Sequence, residues 1–125
     1  MLRDTHPAIL IVEDEPFIRM AAADIVADIG ATPFEAADAG EALAILGAHP
    51  EIRLLVTDVD MPGMDGVALA RRARELRPGM PIIVTSALRT LPPGELPEDG
   101  AFLAKPYGSR QLASAVEGSL GRMAH

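Results

Sequence analysis

Four short apolar runs limit what this chain can fold into: Ala8–Val12, Leu54–Val56, Ile82–Val84 and, more weakly, Ala101–Ala104. None alternates polar with apolar residues, so each suits burial on both faces, the condition of a strand inside a parallel sheet. A fifth candidate, Thr32–Ala37, contains Pro33 and is expected near an edge, because proline cannot donate to a strand ladder.

Helical patterns lie between the runs. Pro16 suits a first helical turn, Ile18, Ala22, Ile25 and Ile29 form a stripe, and Gly30 suits the stop. Leu43 and Leu46 belong to a shorter helix ending near Gly47. Leu69, Ala73 and Leu76 form another stripe, with Arg71, Arg72 and Arg74 on its wet face and Pro78-Gly79 ending it. A last helix is capped at Ser109 and carries Leu112, Val116 and Leu120, with Gly118 and Gly121 fraying its end. Strands alternating with helices imply right-handed crossovers and an open α/β sheet covered on both faces. The stretch 87–99 holds Pro92, Pro93 and Pro97, which break any long helix, so a loop or one or two turns is expected there.

With 125 residues, one domain over 1–125 with a core of about 8–120 is expected. Aromatics are only 3% of the chain, so the core must be built from Ala, Ile, Leu and Val. There is no cysteine, which excludes disulfide scaffolds, zinc ribbons and thiol catalysis. A net charge of −7 argues against nucleic-acid binding. No run approaches the ~20 apolar residues that span a bilayer, and no targeting signal is visible, so a cytoplasmic protein without membrane insertion is expected. Of the 11 basic residues only Lys105 is a lysine.

In an open α/β sheet, ligands bind beyond the carboxyl ends of the strands. The first run is followed by Glu13, Asp14 and Glu15, and the second by Thr57, Asp58, Asp60 and Asp65. The third is followed by Thr85 and Ser86, and the fourth by Lys105 and Pro106. Carboxylates, hydroxyls and the lone lysine should therefore gather at one edge. Clustered carboxylates repel, and a hard divalent cation with oxygen ligands relieves them. A carboxylate beside such a cation, an ammonium and a hydroxyl can act as nucleophile towards a phosphoryl group, giving an acyl phosphate.

The stretches ILIVEDEP, LLVTDVDMPGMDG, IIVTSA and FLAKP, in this order, resemble the receiver domain of two-component response regulators. The resemblance implies a flavodoxin-like, doubly wound parallel sheet of order 2-1-3-4-5. It implies that Asp58 is the phosphoacceptor and that Asp14 binds Mg²⁺ (or Mn²⁺) directly, with Glu13 acting through water. Asp58 and the backbone carbonyl of Asp60 would complete the metal site. Thr85 would contact the phosphoryl group and reorient on activation, and Phe102 would be the aromatic switch residue. Lys105 would bind the phosphoryl group, and its bond to Pro106 would be cis. The implied partners are a histidine kinase or histidine phosphotransfer protein and a downstream protein. The implied role is a signalling phosphoacceptor rather than an enzyme, or a phosphorelay intermediate or phosphate sink.

Two features depart from the pattern. The proline-rich segment falls where the family places its fourth helix, and Asp60 adds an acidic side chain beside Asp58, expected to bias metal binding or dephosphorylation. Plainer readings also stand. Asp58 could be a turn or cap aspartate, Asp65 the N-cap of the following helix, Ser86 structural and Phe102 core. The arginines of 71–77 read as one solvated helix face, and His6, His49 and His125 as surface residues. Asp58-Val59-Asp60 also resembles the nucleophile motif of haloacid-dehalogenase-type phosphatases, which place it on the first strand and need a longer chain.

Overall fold

The structure is a computed structural model, and it describes residues 6–61, 63, 66–88 and 100–123. The elements run β1 (Ala8–Val12), α1 (Pro16–Asp28), β2 (Thr32–Ala36), α2 (Ala39–Ala48), β3 (Ile52–Asp58), α3 (Gly66–Leu76), β4 (Ile82–Ser86), β5 (Ala101–Ala104) and α4 (Ser109–Met123). All four strand pairings are parallel, and the sheet order is β2-β1-β3-β4-β5, the expected doubly wound arrangement. The expectations for 89–99, Asp65 and His125 lie outside the described residues. Among the described residues, no helix is long and apolar enough to cross a membrane.

The two faces of the sheet are separate cores. Ala8, Leu10 and Val12 point towards α2 and α3, where Leu46, Leu69, Ala70 and Ala73 meet them. Ile9 and Ile11 point the other way, onto Ala22, Ala23 and Val26 of α1 and Leu112 and Val116 of α4. Each fully buried Ile or Leu contributes on the order of 2 kcal/mol. β1 and β4 are buried along their whole length, whereas β5, at the sheet edge, is half-buried to exposed. β3 and β4 each extend to the residues that begin the site, reaching Asp58 and Ser86 rather than stopping at Val56 and Val84.

Local signals explain the helix ends. Glu15 caps α1 by accepting the Ile18 amide at 2.8 Å, Pro16 follows, and Gly30, at φ +98°, turns the chain out of the helix. Asp38 accepts the Glu41 amide at 2.8 Å while Glu41 accepts the Ala37 amide at 3.2 Å, a reciprocal cap that starts α2. α2 ends at Ala48, one residue past Gly47.

Several sequence expectations are corrected. The buried stripe of α1 is Ala22, Ala23 and Val26, with Ile25 and Ile29 at its margin and Ile18 exposed. In α3 Ala70 replaces Leu76, which is half-exposed. Small alanines let both helices turn their broad residues to the edge of the contact and pack backbone close to the sheet. Gly108, not Ser109, caps α4: its carbonyl accepts the Leu112 amide at 3.1 Å and its amide donates to Gln111 Oε1 at 2.6 Å. The helix then continues through Gly118 and Gly121 to Met123.

Arg77 is not on a solvated face. Its guanidinium donates to the carbonyls of Leu46, His49, Pro50 and Ile52, joining the end of α2 to the start of β3. Arg74 is half-buried, and His49 is half-buried against Phe34, with ring centroids 4.6 Å apart.

Candidate functional site

Parallel pairing delivers the polar residues to one edge. Val12 lies opposite Thr57, so Glu13 follows beside Asp58, and Asp58 lies opposite Thr85. The Lys105 amide donates to the Ser86 carbonyl at 2.9 Å, which brings the lysine in from β5. The Lys105–Pro106 bond is cis.

Asp58 and Glu13 are buried, at 3% and 4% exposure, whereas Asp14 is exposed. One carboxylate oxygen from each of the three lies within 4.8 Å of the others. Lys105 completes the cluster: its Nζ is hydrogen-bonded to Glu13 Oε1 and lies 3.3 Å from Asp58 Oδ2. Burial pushes the Glu13 carboxyl above its ordinary value, and the nearby Asp58 charge adds to this, while the bonds from Lys105 and the Glu15 amide oppose it. For Lys105, burial disfavours the ammonium, but the bond to Glu13 and the charges of Glu13 and Asp58 outweigh that, so its pKa is raised. The pocket thus retains its own cation.

Backbone groups fix the acids. The Glu13 amide donates to the Ala36 carbonyl at 3.0 Å, and Arg19 Nη1 donates to the Glu13 carbonyl at 2.8 Å while its Nε lies 3.4 Å from Glu35 Oε1. The Asp60 amide donates to Asp58 Oδ1 at 3.2 Å. Arg19 was missed in the sequence, although a lone arginine in the otherwise apolar first turns of α1 is a visible signal. Gly66 was also missed: a Cβ there would sit 2.1 Å from the Asp58 carbonyl oxygen and 2.6 Å from Val59 Cα. α3 therefore begins against the backbone that carries Asp58, at a distance only glycine permits.

Of the other expected residues, Thr85 is buried at the end of β4 beside Asp58. Phe102 is half-buried and packs on the layer that holds Val84. The Asp60 carboxylate turns away from the acidic cluster: Oδ2 accepts the Ser86 hydroxyl at 2.7 Å and the amides of Ala87 at 3.1 Å and Leu88 at 3.3 Å. Beside the cluster, Phe17, Ile18 and Ile25 of α1 face Pro106 and Tyr107 across a groove of about 470 Å³ that reaches Lys105, with Phe17 80% exposed.

Residues 9–117 match the response regulator receiver domain. The chain belongs to that family. It is 38% identical over 113 residues to the sensor kinase CckA of Brucella abortus, covering 87% of this chain and 12% of that protein. The crystal structure of the receiver domain from the hybrid histidine kinase CckA matches with a TM-score of 0.79 at 37% identity, covering 90% of this chain and 98% of that one. A response regulator receiver protein from Sinorhizobium medicae matches with a TM-score of 0.86 at 30% identity, covering 93% and 95% of the two chains. The chain spans from 12% to 52% of the length of the first curated relatives it matches.

Proposed function

We propose that this receiver domain takes a phosphoryl group onto Asp58 from a phosphohistidine on a histidine kinase or histidine phosphotransfer protein in the cytoplasm. The observation that carries this reading is the meeting of the Glu13, Asp14 and Asp58 carboxylates with the Lys105 ammonium at the strand ends. A carboxylate oxygen of Asp58 attacks phosphorus, a P–O bond forms as the P–N bond breaks, and the product is an acyl phosphate. Hydrolysis cleaves the new P–O bond and returns inorganic phosphate and the carboxylate.

Such transfer depends on positioning and charge neutralisation rather than on covalent chemistry by the protein. Lys105, held between Glu13 and Asp58, would move onto a phosphoryl oxygen, and the hydroxyl of Thr85, opposite Asp58 on the neighbouring strand, would donate to another. The three carboxylates are an all-oxygen, hard donor set, which fits Mg²⁺ or Mn²⁺; Glu13, Asp14, Asp58 and the Asp60 backbone carbonyl would hold the ion. Bound there, the cation would supply positive charge to the transferring group.

Thr85 and Phe102 would shift together once Asp58 is modified, repacking the surface around them and altering its affinity for a downstream protein. The apolar groove is where the phosphohistidine protein would rest, because it reaches Lys105, which lies 3.3 Å from Asp58 Oδ2, and exposes Phe17 beside it. A haloacid-dehalogenase-type phosphatase would need Asp60 as a general acid, whereas its carboxylate is engaged with the loop after β4.

Incubation with acetyl phosphate, with and without Mg²⁺, followed by intact-mass measurement tests the reading. The wild type should gain one phosphoryl group only with Mg²⁺, and Asp58→Asn none; equal labelling of both would overturn it. Separately, Mg²⁺ should raise the melting temperature of the wild type and not of Asp14→Asn, since an ion that binds only the folded chain stabilises it.

A further inference from the structure

Asp60 touches both parts of the molecule that a receiver must couple. Its amide donates to Asp58 Oδ1 at 3.2 Å. Its carboxylate Oδ2 accepts the Ser86 hydroxyl and the Ala87 and Leu88 amides, at 2.7, 3.1 and 3.3 Å. The Ser86 hydroxyl in turn accepts the Leu88 amide at 3.2 Å, closing a small network at the exit of β4. Hydrogen bonds to a carboxylate are stronger than neutral ones, so these contacts tie Ala87 and Leu88 to Asp60 as the chain leaves β4. Those residues directly follow Thr85, whose carbonyl accepts the Val59 amide at 2.9 Å.

We propose that Asp60 is a latch: it holds Ala87 and Leu88, at the start of the loop after β4, in the resting position and transmits the state of Asp58 to that loop. This rests on the proposed chemistry at Asp58. Phosphorylating Asp58 moves negative charge from the carboxylate that receives the Asp60 amide onto the phosphoryl oxygens and draws Lys105 to them. The strand of chain carrying Asp60 then loses one of its anchors, and the loop held by its side chain is released. Asp60 is a positioning residue here, acting through its side-chain bonds to Ser86, Ala87 and Leu88. The latch biases a two-position loop towards rest, so weakening it should favour the switched position.

The test uses the full chain and two readouts. Hydrogen exchange at the Ala87 and Leu88 amides is measured without phosphoryl donor or added metal. Asp60→Ala should speed both by about tenfold, Ser86→Ala by less, and Asp60→Asn least, because its amide oxygen still accepts. Unchanged exchange in Asp60→Ala overturns the latch. The second readout is affinity for beryllium fluoride with Mg²⁺, a mimic of the phosphoryl group. Removing an acid beside an anion site would tighten binding by charge alone, and two variants separate the effects. Ser86→Ala keeps the charge and loosens the loop, and should tighten binding several-fold. Asp60→Asn removes the charge and keeps the acceptor, and should tighten it less than Asp60→Ala. If Asp60→Asn equals Asp60→Ala while Ser86→Ala equals wild type, charge explains everything and the latch is wrong. Failure of every variant and the wild type to bind beryllium fluoride would instead overturn the proposed function, with amide exchange still deciding the latch.

Discussion

The two poles of the sheet use their cations in opposite ways. At the amino-terminal pole, Arg77 spreads its fork over four backbone carbonyls at the end of α2 and the start of β3. Those acceptors are fixed, neutral and matched to a planar donor, and the positive charge also suits a helix carboxyl terminus. At the carboxyl-terminal pole, Lys105 is a point charge shared by two carboxylates, either of which could hold it. One cation locks the chain. The other is placed where it can change partners.

Substitutions at four positions break or sharpen this contrast, in decreasing order of expected effect on stability. Gly66→Ala should cost about 3 kcal/mol in urea denaturation, at the upper end for overpacking, because the new methyl meets backbone rather than a flexible side chain. A cost that large would show that the site pole rests on a rigid seat even though its cation is labile. Arg77→Ala should cost about 2 kcal/mol, and Arg77→Lys about half of that, since an ammonium cannot serve four carbonyls at once. Acetyl phosphate labelling per folded molecule should be unchanged in both. Asp38→Ala, which removes the reciprocal cap of α2, should cost about 1 kcal/mol in thermal melts and leave labelling intact. Lys105→Arg should change stability by less than about 1 kcal/mol, while the conformational response to beryllium fluoride, followed by backbone amide shifts, is lost. If Lys105→Arg switched normally, or Arg77→Lys cost nothing, the two cations would be interchangeable and the contrast would fail.

The site was legible because its placement follows from topology. Once Ala8–Val12, Leu54–Val56 and Ile82–Val84 are parallel neighbours, the residues that follow them must share an edge. The arginines were not legible in the same way. Arg74 and Arg77 lie on one helix pattern, and only the approach of the α2 end to the β3 start decides that Arg77 meets carbonyls. Helical spacing located α1 and α3, yet alanines on either side of each stripe left its phase open, so Ile18 and Leu76 were placed inside. Asp60 shows a third kind of gap: its position beside Asp58 was evident, but the direction of its carboxylate depends on a side-chain rotation towards a hydroxyl and two amides 26 to 28 residues later.

Pro33 has a consequence beyond marking β2 as an outer strand. The Thr32 amide donates to the Pro7 carbonyl and the Ala36 carbonyl accepts the Glu13 amide, so the even residues of β2 face β1 and the odd ones face outward. The outward backbone therefore belongs to Pro33 and Glu35, and only Glu35 has an N–H to offer. A second chain trying to add a strand at this margin would find a single donor beside an exposed carboxylate. The sheet resists growth into a polymer along this side.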